Sequence, residues 1–552
     1  MLRYSRSLIS VALCLLPLRV CLSAPTGFPV TYHVSQVPGA SDTGPGTEKR
    51  PFLTIAKAAG LAAPGDTVVV HAGLYREWVN PRNSGTRKAP ITYVAGPGEK
   101  VIVTGADLIT AWTRDTSDQP VYKVPWTHMF IIAHDQDGKP IEHHPADEYH
   151  KLTGRAEEVI VDGKLVEQVL TRSEMKPGTF CADTANKWLY LWLADGGEPA
   201  AHQVEAATRG LVFGTNPWLR PQGIDYIRVK GFTFRYAANF AQRGAVWLFG
   251  ENDVAEDCTV EWMAGTGIDI GGHNAVVRRV TAQYNGHTGG GAEGDRFLME
   301  DCVIAHNTRK AFSRDWDCGG SKICLCEGGL IRRCSYIANG GNGLWFDIDV
   351  RNTRVTECEF RDNEGCGVFV EISRGVRIDH CLVTGNGLDE KTAGWSAGGL
   401  CLAESSHCVI EDNRCVGNRC GITMREQGPR SFSGLHKEQV SYHCQDNTIR
   451  RNVCENNRLF QLGLWLDNGY FGRHPAQAKL SDVEWADFLK QYPPYDPRKQ
   501  GFVIDNNTYR VQPGQKLALV GCTWRPGHRE YAKLTEFTRD WGFDAHSRVG
   551  AR

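Results

Sequence analysis

The sequence lacks an excess of charge of either sign and, beyond its first residues, lacks any long apolar run. Lys and Arg number 62 against 63 Asp and Glu, which gives a net charge of −1. No strong overall field therefore attracts nucleic acid or an anionic membrane. A bilayer span needs about 20 consecutive apolar residues, and no segment after the N-terminal region meets that requirement. The sequence predicts no nucleic-acid partner and no membrane span.

Long helical patterns are also scarce, whereas glycine is abundant. The chain of 552 residues contains 60 Gly, and Val, Ile, Thr and Asn recur with it. This mixture is typical of many short strands joined by tight turns. We therefore expect an all-β protein.

The first 23 residues have the features of a secretory signal peptide. Arg3 and Arg6 supply a positive start, residues 8–18 are mostly apolar, and small residues precede Ala24. A membrane anchor is the alternative, although this apolar run is too short to cross a bilayer. We expect the mature protein to be secreted or periplasmic. An oxidising compartment permits disulfides, but the cysteines beyond Cys14 and Cys21 are odd in number and cannot all pair.

A repeat of short strands becomes regular after about residue 223. An apolar residue is followed three positions later by Cys, Asn or Val, and eight positions later by Asn. The matching segments are Val277/Val280/Asn285, Met299/Cys302/Asn307, Ile331/Cys334/Asn339, Val355/Cys358/Asn363, Ile378/Cys381/Asn386, Ile410/Asn413/Asn418 and Ile449/Asn452/Asn457. The period of roughly 22–24 residues favours a right-handed parallel β-helix over hexapeptide coils or leucine-rich repeats.

The repeated positions predict local roles within each coil. Asn at the eighth position suits a bend, because its short side chain tolerates the left-handed conformation and bonds local backbone. Cys302, Cys334, Cys358 and Cys381 are expected to stack inward as small apolar fillers.

The spacing divides the chain into four regions. Residues 1–23 are the signal peptide, and residues 24–105 form an N-terminal cap, with a short helix near 51–59, and the first coils. Residues 106–222 alternate in the manner of antiparallel hairpins and are expected to form an inserted β-sandwich-like region. Residues 223–552 form the main β-helix, with an insertion at 469–500 and a C-terminal tail. A His-rich run at 142–150 supplies no complete ligand set, so no metal site is predicted.

Acidic residues recur at one outward position of successive coils. Parallel strands lie about 4.8 Å apart, which approaches the separation of about 5–5.5 Å that retaining glycosidases need between two carboxyl groups. Two carboxylates this close repel each other, which raises one pKa and leaves a protonated acid beside an ionised nucleophile. Counting eight residues beyond the repeated Asn reaches Glu293, Asp347, Glu371 and Glu426, while Glu404 ends an intervening strand and Asp317 lies near the equivalent place one coil before Asp347.

Aromatic residues precede the two central acids. Trp345 and Phe346 lead into Asp347, and Phe369 leads into Glu371. Exposed aromatics beside acids suit the apolar faces of sugar rings. The alternatives are a solvated polar face for the acids and structural packing for the aromatics.

Two regions of the sequence resemble glycoside hydrolase family 120, the β-xylosidase family with a right-handed parallel β-helix and a flanking β-sandwich. The N-terminal likeness includes Tyr32-His-Val-Ser, Pro51-Phe-Leu-Thr-Ile, Pro64-Gly-Asp-Thr, Tyr75-Arg-Glu-Trp-Val79 and Ile91-Thr-Tyr93. The more specific likeness includes Gly320-Ser-Lys322, Gly343-Leu-Trp-Phe-Asp347, Thr353-Arg-Val355 and Phe369-Val-Glu371.

The resemblance implies that Asp347 is the nucleophile and Glu371 the general acid/base. Asp317 falls where the family has an acidic sugar-binding residue, which is Glu there, and the stretch from Asp347 to Glu371 is one residue longer than in the family. A segment at Leu464-Trp-Leu-Asp467 repeats the nucleophile strand without a following Phe-Val-Glu. The expected reaction is hydrolysis of an oligosaccharide or polysaccharide without a cofactor, with substrate contacts from Asp317, Lys322, Trp345 and Glu426.

Two other functions fit the same fold. In a polysaccharide lyase the acids would hold Ca²⁺, and Lys322, Arg374 or Arg377 would abstract the proton beside a uronate carboxylate. In a non-catalytic surface protein the groove would only bind glycan. The sugar, the linkage, exo or endo action and the oligomeric state are not determined by the sequence.

Overall fold

The structure is a computed structural model. It describes residues 28–116, 118–128, 130, 133–134, 140–141, 155–215, 223–239, 241–310, 312, 317–389, 395, 397–428, 430–435, 438–468, 481–523 and 527–550. The predicted signal peptide at 1–23, the His-rich run at 142–150 and residues 469–480 of the predicted insertion lie outside the described residues.

Three long parallel sheets form the body of the protein, and most coils contribute one strand to each sheet. The strands of the first sheet are Thr31–Val34, Thr67–Val70, Ile91–Ala95, Ile227–Lys230, Val254–Glu256, Val276–Arg278, Leu298–Glu300, Leu330–Arg332, Arg354–Thr356, Arg377–Asp379, Val409–Glu411, Thr448–Arg450 and Val503–Asp505. The strands of the second sheet are Gly73–Arg76, Val101–Thr104, Phe232–Arg235, Thr259–Glu261, Thr281–Gln283, Val303–Ala305, Ser335–Ile337, Glu359–Arg361, Leu382–Thr384, Arg414–Val416, Val453–Glu455, Thr508–Arg510 and Arg548–Val549.

The third sheet has longer strands, and its last strand is antiparallel to its neighbour. Its strands are Phe213–Gly214, Gly244–Phe249, Thr266–Gly271, Thr288–Glu293, Gly319–Cys324, Asn342–Asp347, Val368–Glu371, Leu400–Ala403, Cys420–Gln427, Phe460–Asp467, Lys516–Val520 and Arg529–Tyr531. The predicted β-helix with an inserted sandwich is confirmed by this topology.

The core lies inside the coil, where equivalent residues of successive strands stack. In the first sheet Ile331, Val355, Ile378 and Ile410 pair in register and are almost completely buried. Most strands of the first two sheets contain three residues and bury the central one, because alternate side chains point to opposite faces. One inward residue per short strand is thus enough to build a continuous core.

The bends between sheets correct one prediction. The left-handed residue is the one before each repeated Asn, for example Tyr284 (φ 54°), Asp362 (φ 57°) and Asn456 (φ 52°). The Asn itself turns inward and bonds its counterpart on the next coil. In one such step Asn363 Nδ2 donates to Asn386 Oδ1 at 2.8 Å, and the backbone N–H of Asn363 donates to the same oxygen at 3.1 Å.

This Asn ladder is buried and joins Asn285, Asn307, Asn339, Asn363, Asn386, Asn418 and Asn457. It satisfies amides that would otherwise be orphaned inside the coil. The cysteines predicted to stack inward, Cys302, Cys334, Cys358 and Cys381, are buried as free thiols, which agrees with their role as small fillers.

Short helices lie near both ends of the coil. The helix Ile55–Leu61 is capped by the Thr54 side chain, which accepts from the backbone of Lys57, and buries Ile55, Ala58 and Ala59. The helix Leu534–Trp541 packs Phe537 against the last strands of the third sheet. The other helices among the described residues are Asp482–Gln491 and the 3₁₀ turns Arg172–Glu174, Pro199–Ala201 and Pro497–Lys499. No helix in the described part of the chain is both long and apolar enough to traverse a membrane.

The inserted region contains two larger sheets that are mainly antiparallel. One has the strands Lys164–Leu165, Val159–Val161, Val204–Ala207 and Ala106–Leu108, and the other has Glu167–Val169, Thr179–Asp183, Trp188–Trp192, Tyr122–Pro125 and Thr113–Arg114. Their shared core includes Phe180, Leu189 and Val204. A short pair joins Ala133–His134 to Pro140–Ile141. Phe213–Gly214 already pairs with the third sheet, so the β-helix resumes before residue 223.

A two-stranded hairpin extends from the third sheet. Its strands, Arg430–Ser433 and Gln439–Tyr442, are antiparallel, and Arg430 pairs with Tyr442. It follows the strand Cys420–Gln427 in the chain and carries a side chain to the candidate site.

Candidate active site

Asp347 and Glu371 end two neighbouring strands of the third sheet. These strands pair Trp345 with Phe369 and Phe346 with Val370, so the next residue on each strand is one of the two acids. The length of the chain between the two acids therefore does not displace one from the other. Neighbouring parallel strands are about 4.8 Å apart, which brings both carboxyl groups to the same outward face.

The residue after each acid has an unusual backbone conformation. Ile348 (φ 55°) and Ile372 (φ 40°) are left-handed, a conformation that is costly for β-branched residues. Both pack with Val440 and Tyr442 of the hairpin. This packing stabilises the two left-handed residues, which directly follow the paired strands. Backbone strain of this kind is often found at functional sites.

Lys322 lies beside Asp347 on the preceding strand. Its Nζ is 2.8 Å from Asp347 Oδ2 and also bonds Asp317. Gln242 donates to the other oxygen of Asp317. Asp347 Oδ1 is buried and has no hydrogen-bond partner among the residues that the structure describes. One oxygen of Asp347 is thus held by a cation, while the other is enclosed by the protein without a donor.

Glu371 is paired with an arginine from the hairpin. Arg430 Nη1 donates to Glu371 Oε1 and lies 3.8 Å from Glu404 Oε2. Glu404 is buried, and its other oxygen accepts from the backbone N–H of Gln427 at 2.8 Å. Arg425 lies on the same side of the site, with its guanidinium 5.4 Å from the centre of the Phe369 ring.

The two central acids titrate differently because their cations differ. Burial raises the pKa of Asp347, and the charge of Glu371 raises it further, while Lys322 opposes both effects. Burial also opposes ionisation of Glu371, but Arg430 and Arg425 outweigh it, so the pKa of Glu371 is lowered. The pKa of Asp347, the implied nucleophile, is therefore raised, and the pKa of Glu371, the implied general acid, is lowered. A general acid must hold a proton, so this order is the reverse of the one that the implied roles require.

Glu404 is the second acid here with a raised pKa. Burial raises the pKa of its carboxyl to about 7, against the opposing charges of Arg425 and Arg430. A carboxyl group that titrates near neutrality is uncommon away from functional sites.

Trp345 does not form the exposed sugar platform that the sequence predicts. Its side chain is outward but only 5% exposed, because it packs with Cys366, Phe369 and Cys401. Lys322 Nζ lies 4.5 Å from the centre of the indole ring. The indole therefore supports Lys322 through a cation–π contact.

We call the outward register position shared by Glu293, Asp347 and Glu371 the acid column. Glu426 lies outside it. The register pairs Ala403 with Arg425, so Arg425 occupies the position equivalent to Glu371. Glu426 is buried and accepts from His443 Nδ1 at 2.9 Å and from the backbone N–H of Cys444 at 2.7 Å. The count of eight fails because the turn after Asn418 is one residue shorter than the turn after Asn363.

The other acids that the sequence assigned to this position lie on several strands. Glu293 pairs with Cys324, which pairs with Asp347, so Glu293 is exposed two strands away. Glu404 lies one residue beyond Ala403, which is the partner of Glu371, in a left-handed turn (φ 42°). The structure thus brings together Asp317, Lys322, Asp347 and Glu371, with Glu404 behind them.

The basic residues of the lyase hypothesis are divided. Lys322 is at the site, whereas Arg377 lies on the first sheet and pairs with Asp379 and Glu411. Arg374 lies 3.5 Å from Asp349 and 3.6 Å from Glu438. Among the described residues, no three His, Cys, Asp or Glu side chains are grouped to hold a metal ion.

Sequence reasoning missed the two arginines and Gln242. Arg425 is visible only when strands are aligned by pairing rather than by counting from Asn. Arg430 lies in a hairpin that has no counterpart in the repeat, so no periodic signal marks it. Gln242 precedes the first long strand of the third sheet, 75 positions before Asp317.

Sequence comparisons match parts of the chain. The model of the right-handed β-helix region matches residues 244–398. A stretch of 96 residues is 38% identical to the uncharacterized protein YwoF of Bacillus subtilis (strain 168), and it covers 17% of this chain and 20% of YwoF. The chain therefore matches about a fifth of the length of this curated relative.

Two solved structures superimpose on most of the chain. The complex of XylC with xylose superimposes with a TM-score of 0.63 at 20% identity, over 90% of this chain and 87% of XylC. A structure described as a glycoside hydrolase superimposes with a TM-score of 0.49 at 12% identity, over 72% of this chain and 94% of the other. This similarity agrees with the β-helix fold that the resemblance drawn from the sequence implies. The comparisons show that this chain has the fold of a right-handed parallel β-helix.

Proposed function

We propose that the protein is a carbohydrate-active enzyme, a retaining glycoside hydrolase of the β-xylosidase type that uses Asp347 and Glu371. The observation that supports this most directly is the register of their strands, which gives two outward carboxyl groups on neighbouring coils. Retaining enzymes need carboxyl groups about 5–5.5 Å apart, whereas inverting enzymes need more space for a water molecule. The similarity of the fold to XylC supports the same class of substrate.

In the proposed first step Asp347 attacks the anomeric carbon. Lys322 holds Oδ2 of Asp347 at 2.8 Å and opposes the rise in the Asp347 pKa that burial causes, which favours the ionised nucleophile. Glu371 donates a proton to the glycosidic oxygen as the bond to the anomeric carbon breaks. The products are a glycosyl ester on Asp347 and the released alcohol.

In the proposed second step Glu371, now ionised, takes a proton from water. The resulting hydroxide oxygen attacks the anomeric carbon and releases Asp347. Asp317 and Gln242 lie beside Lys322 and offer polar atoms for sugar hydroxyl groups. Two displacements at one carbon retain its configuration.

The test is hydrolysis of a panel of aryl glycosides by the wild type and by Asp347→Asn. The proposal expects release of the aryl group with retention of configuration, measured by NMR of the first sugar product, and a matched loss in the variant. Inversion of configuration, or an unchanged rate in Asp347→Asn, would contradict it. Glu371→Gln should lose most activity on substrates with poor leaving groups and least on activated aryl glycosides, which need little acid assistance.

A lyase reaction is tested in the same experiment with uronate polymers. Lys322 would be its base. Burial lowers its pKa, but Asp347 together with Cys324 and Glu371 outweighs burial and raises the pKa of Lys322, which weighs against proton abstraction. An unsaturated product that disappears with a chelator would establish the lyase instead. Glycan binding without turnover, unchanged in Asp347→Asn, would establish the binding protein.

We also propose that the enzyme acts outside the cytoplasm. The support is the signal-like segment at 1–23. Mass spectrometry of the exported fraction should find a new N-terminus close to Ala24. Recovery of the intact N-terminus from the cytoplasm alone would contradict this proposal.

A further inference from the structure

The proposed mechanism needs a proton on Glu371, yet the resting structure favours ionised Glu371. Arg430 bonds this carboxylate directly, and its charge stabilises the ionised form. A substrate whose glycosidic oxygen approaches Glu371 must compete with this guanidinium. Catalysis therefore requires another place for Arg430.

Glu404 is placed to accept a hydrogen bond from Arg430. Arg430 Nη1 lies 3.8 Å from Glu404 Oε2, and a hydrogen bond of about 2.9 Å requires a movement of about 1 Å. Glu404 Oε2 is buried and lacks a hydrogen-bond donor in the described part of the chain. Its other oxygen is anchored by the backbone of Gln427, so the unbonded oxygen is held towards Arg430.

The surrounding charges allow the exchange without a change in net charge. Three cations, Lys322, Arg425 and Arg430, face four carboxyl groups, and the site is neutral when one carboxyl is protonated. Arg425 acts on both Glu371 and Glu404.

We propose that Glu404 is a positioning residue that accepts Arg430 from Glu371 when sugar binds, so that Glu371 takes up the proton needed by the leaving group. Glu404 releases one proton as Arg430 arrives, and Glu371 gains one as Arg430 leaves. The number of protons and the charge of the site stay the same. This inference rests on the proposed glycosidase function and concerns the regulation of its acid.

The exchange explains the hairpin as well. Arg430 is the first residue of the strand Arg430–Ser433, and the other strand packs Val440 and Tyr442 on the residues after Asp347 and Glu371. The base of the arginine is thereby fixed relative to both acids. Only its side chain has to change partner.

The first experiment measures the pH dependence of kcat/KM on an aryl xyloside. In Glu404→Gln, Arg430 keeps its contact with Glu371, so the basic limb should move to lower pH and activity at pH 7 should fall roughly 10-fold or more, with activity near the acid optimum largely retained. Arg430→Gln should move the basic limb to higher pH, and Arg430→Lys should partly restore it. The double variant should behave like Arg430→Gln.

A matched control removes a buried carboxylate elsewhere. Glu411 is buried on the first sheet and bonds Arg450 and Arg451, so Glu411→Gln should alter the melting temperature without moving the basic limb. If Glu404→Gln lowers activity equally at every pH, Glu404 has only a structural role and the inference is overturned.

The second experiment is a crystal structure of the wild type with bound xylose. The expected result is Arg430 within hydrogen-bond distance of Glu404, with the sugar against Glu371. Arg430 still bonded to Glu371 in the sugar complex would overturn the inference while leaving the glycosidase proposal intact. If no aryl glycoside is hydrolysed and no sugar binds, the proposed function fails and this inference fails with it.

Discussion

The Asn ladder and the acid column repeat one position on successive coils, but they solve the same spacing problem differently. An amide carries both a donor and an acceptor, so identical residues can stack about 4.8 Å apart and bond each other. Carboxylates at that spacing repel. The column therefore has acids on adjacent strands only at Asp347 and Glu371, and Cys324 and Ala403 occupy the flanking positions.

The difference shows which repeats are structural. The repeated Asn position stabilises the fold through hydrogen bonds between identical neutral residues. The acid column instead carries unlike residues, whose charges need cations as partners. The ladder is completely buried, while the side chains of Asp347 and Glu371 remain 11% and 13% exposed. Partial exposure leaves the two acids within reach of a ligand.

Asp347→Asn is expected to have the largest effect, because it replaces a carboxylate of the acid column with a neutral amide. Activity should fall on the order of 10⁴-fold or more, because the attacking carboxylate is lost, while the melting temperature should change little. The measurement is kcat/KM on an activated aryl glycoside. Glu293→Gln is the control, since Glu293 occupies the same register position two strands away, and a comparable loss there would contradict the assignment.

Removing one amide should break the ladder. Asn363→Ala leaves the backbone N–H of Asn339 and its Nδ2 without their shared acceptor. Two buried donors losing a partner should cost about 2–6 kcal/mol of unfolding free energy. Urea unfolding measures this loss. Glu359→Ala, which breaks an exposed ion pair with Arg361, should cost less than about 1 kcal/mol, and equal losses would refute the structural role of the ladder.

The pH dependence of the unfolding free energy tests the raised pKa of Glu404. The pKa of Glu404 is raised from 4.5 to about 7 in the folded protein, so between these values the folded chain holds a proton that the unfolded chain has released. Stability therefore falls as pH rises through this window, by about 1.4 kcal/mol per pH unit and about 3 kcal/mol in all. Below pH 4.5 both states are protonated and the effect vanishes. Melting temperatures of Glu404→Gln from pH 4.5 to 7 should fall less steeply than those of the wild type, and parallel slopes would contradict the shift.

The smallest effect is expected at Glu426. Glu426→Gln keeps an oxygen for the backbone of Cys444 but weakens the contact with His443, at a cost of about 1 kcal/mol in unfolding free energy. The activity of this variant should stay within about 2–3-fold of the wild type, because the Glu426 side chain is buried and does not share the outward position of Asp347 and Glu371. A large rise in KM would return Glu426 to the substrate site.

Particular residues show how far sequence reasoning reached. The repeat of Asn363 and Asn386 revealed the coil period, and the short strands around Val355 and Ile378 revealed the sheets. The pairing of Asp347 with Glu371 followed from that period. The same counting placed Glu426 one position wrong, because a turn one residue shorter changes the face of every later residue on that strand.

Contacts between distant segments were beyond the sequence. Arg430 reaches Glu371 from 59 positions away, and Lys322 covers the indole that was expected to bind sugar. Neither contact is periodic, so neither leaves a signal in the repeat. The lowered pKa of Glu371 depends on the contact with Arg430, so the reversed order of the two pKa values was missed.

The sequence by itself determined the coil, because a solenoid is built from local spacing that is repeated in every turn. Only the tertiary structure decided which acids meet, which cations neutralise them and which face is covered. Those outcomes depend on where hairpins and turns bring distant charges, and the energy of a charge in a partly buried groove is set by neighbours within a few ångströms rather than by neighbours in the chain.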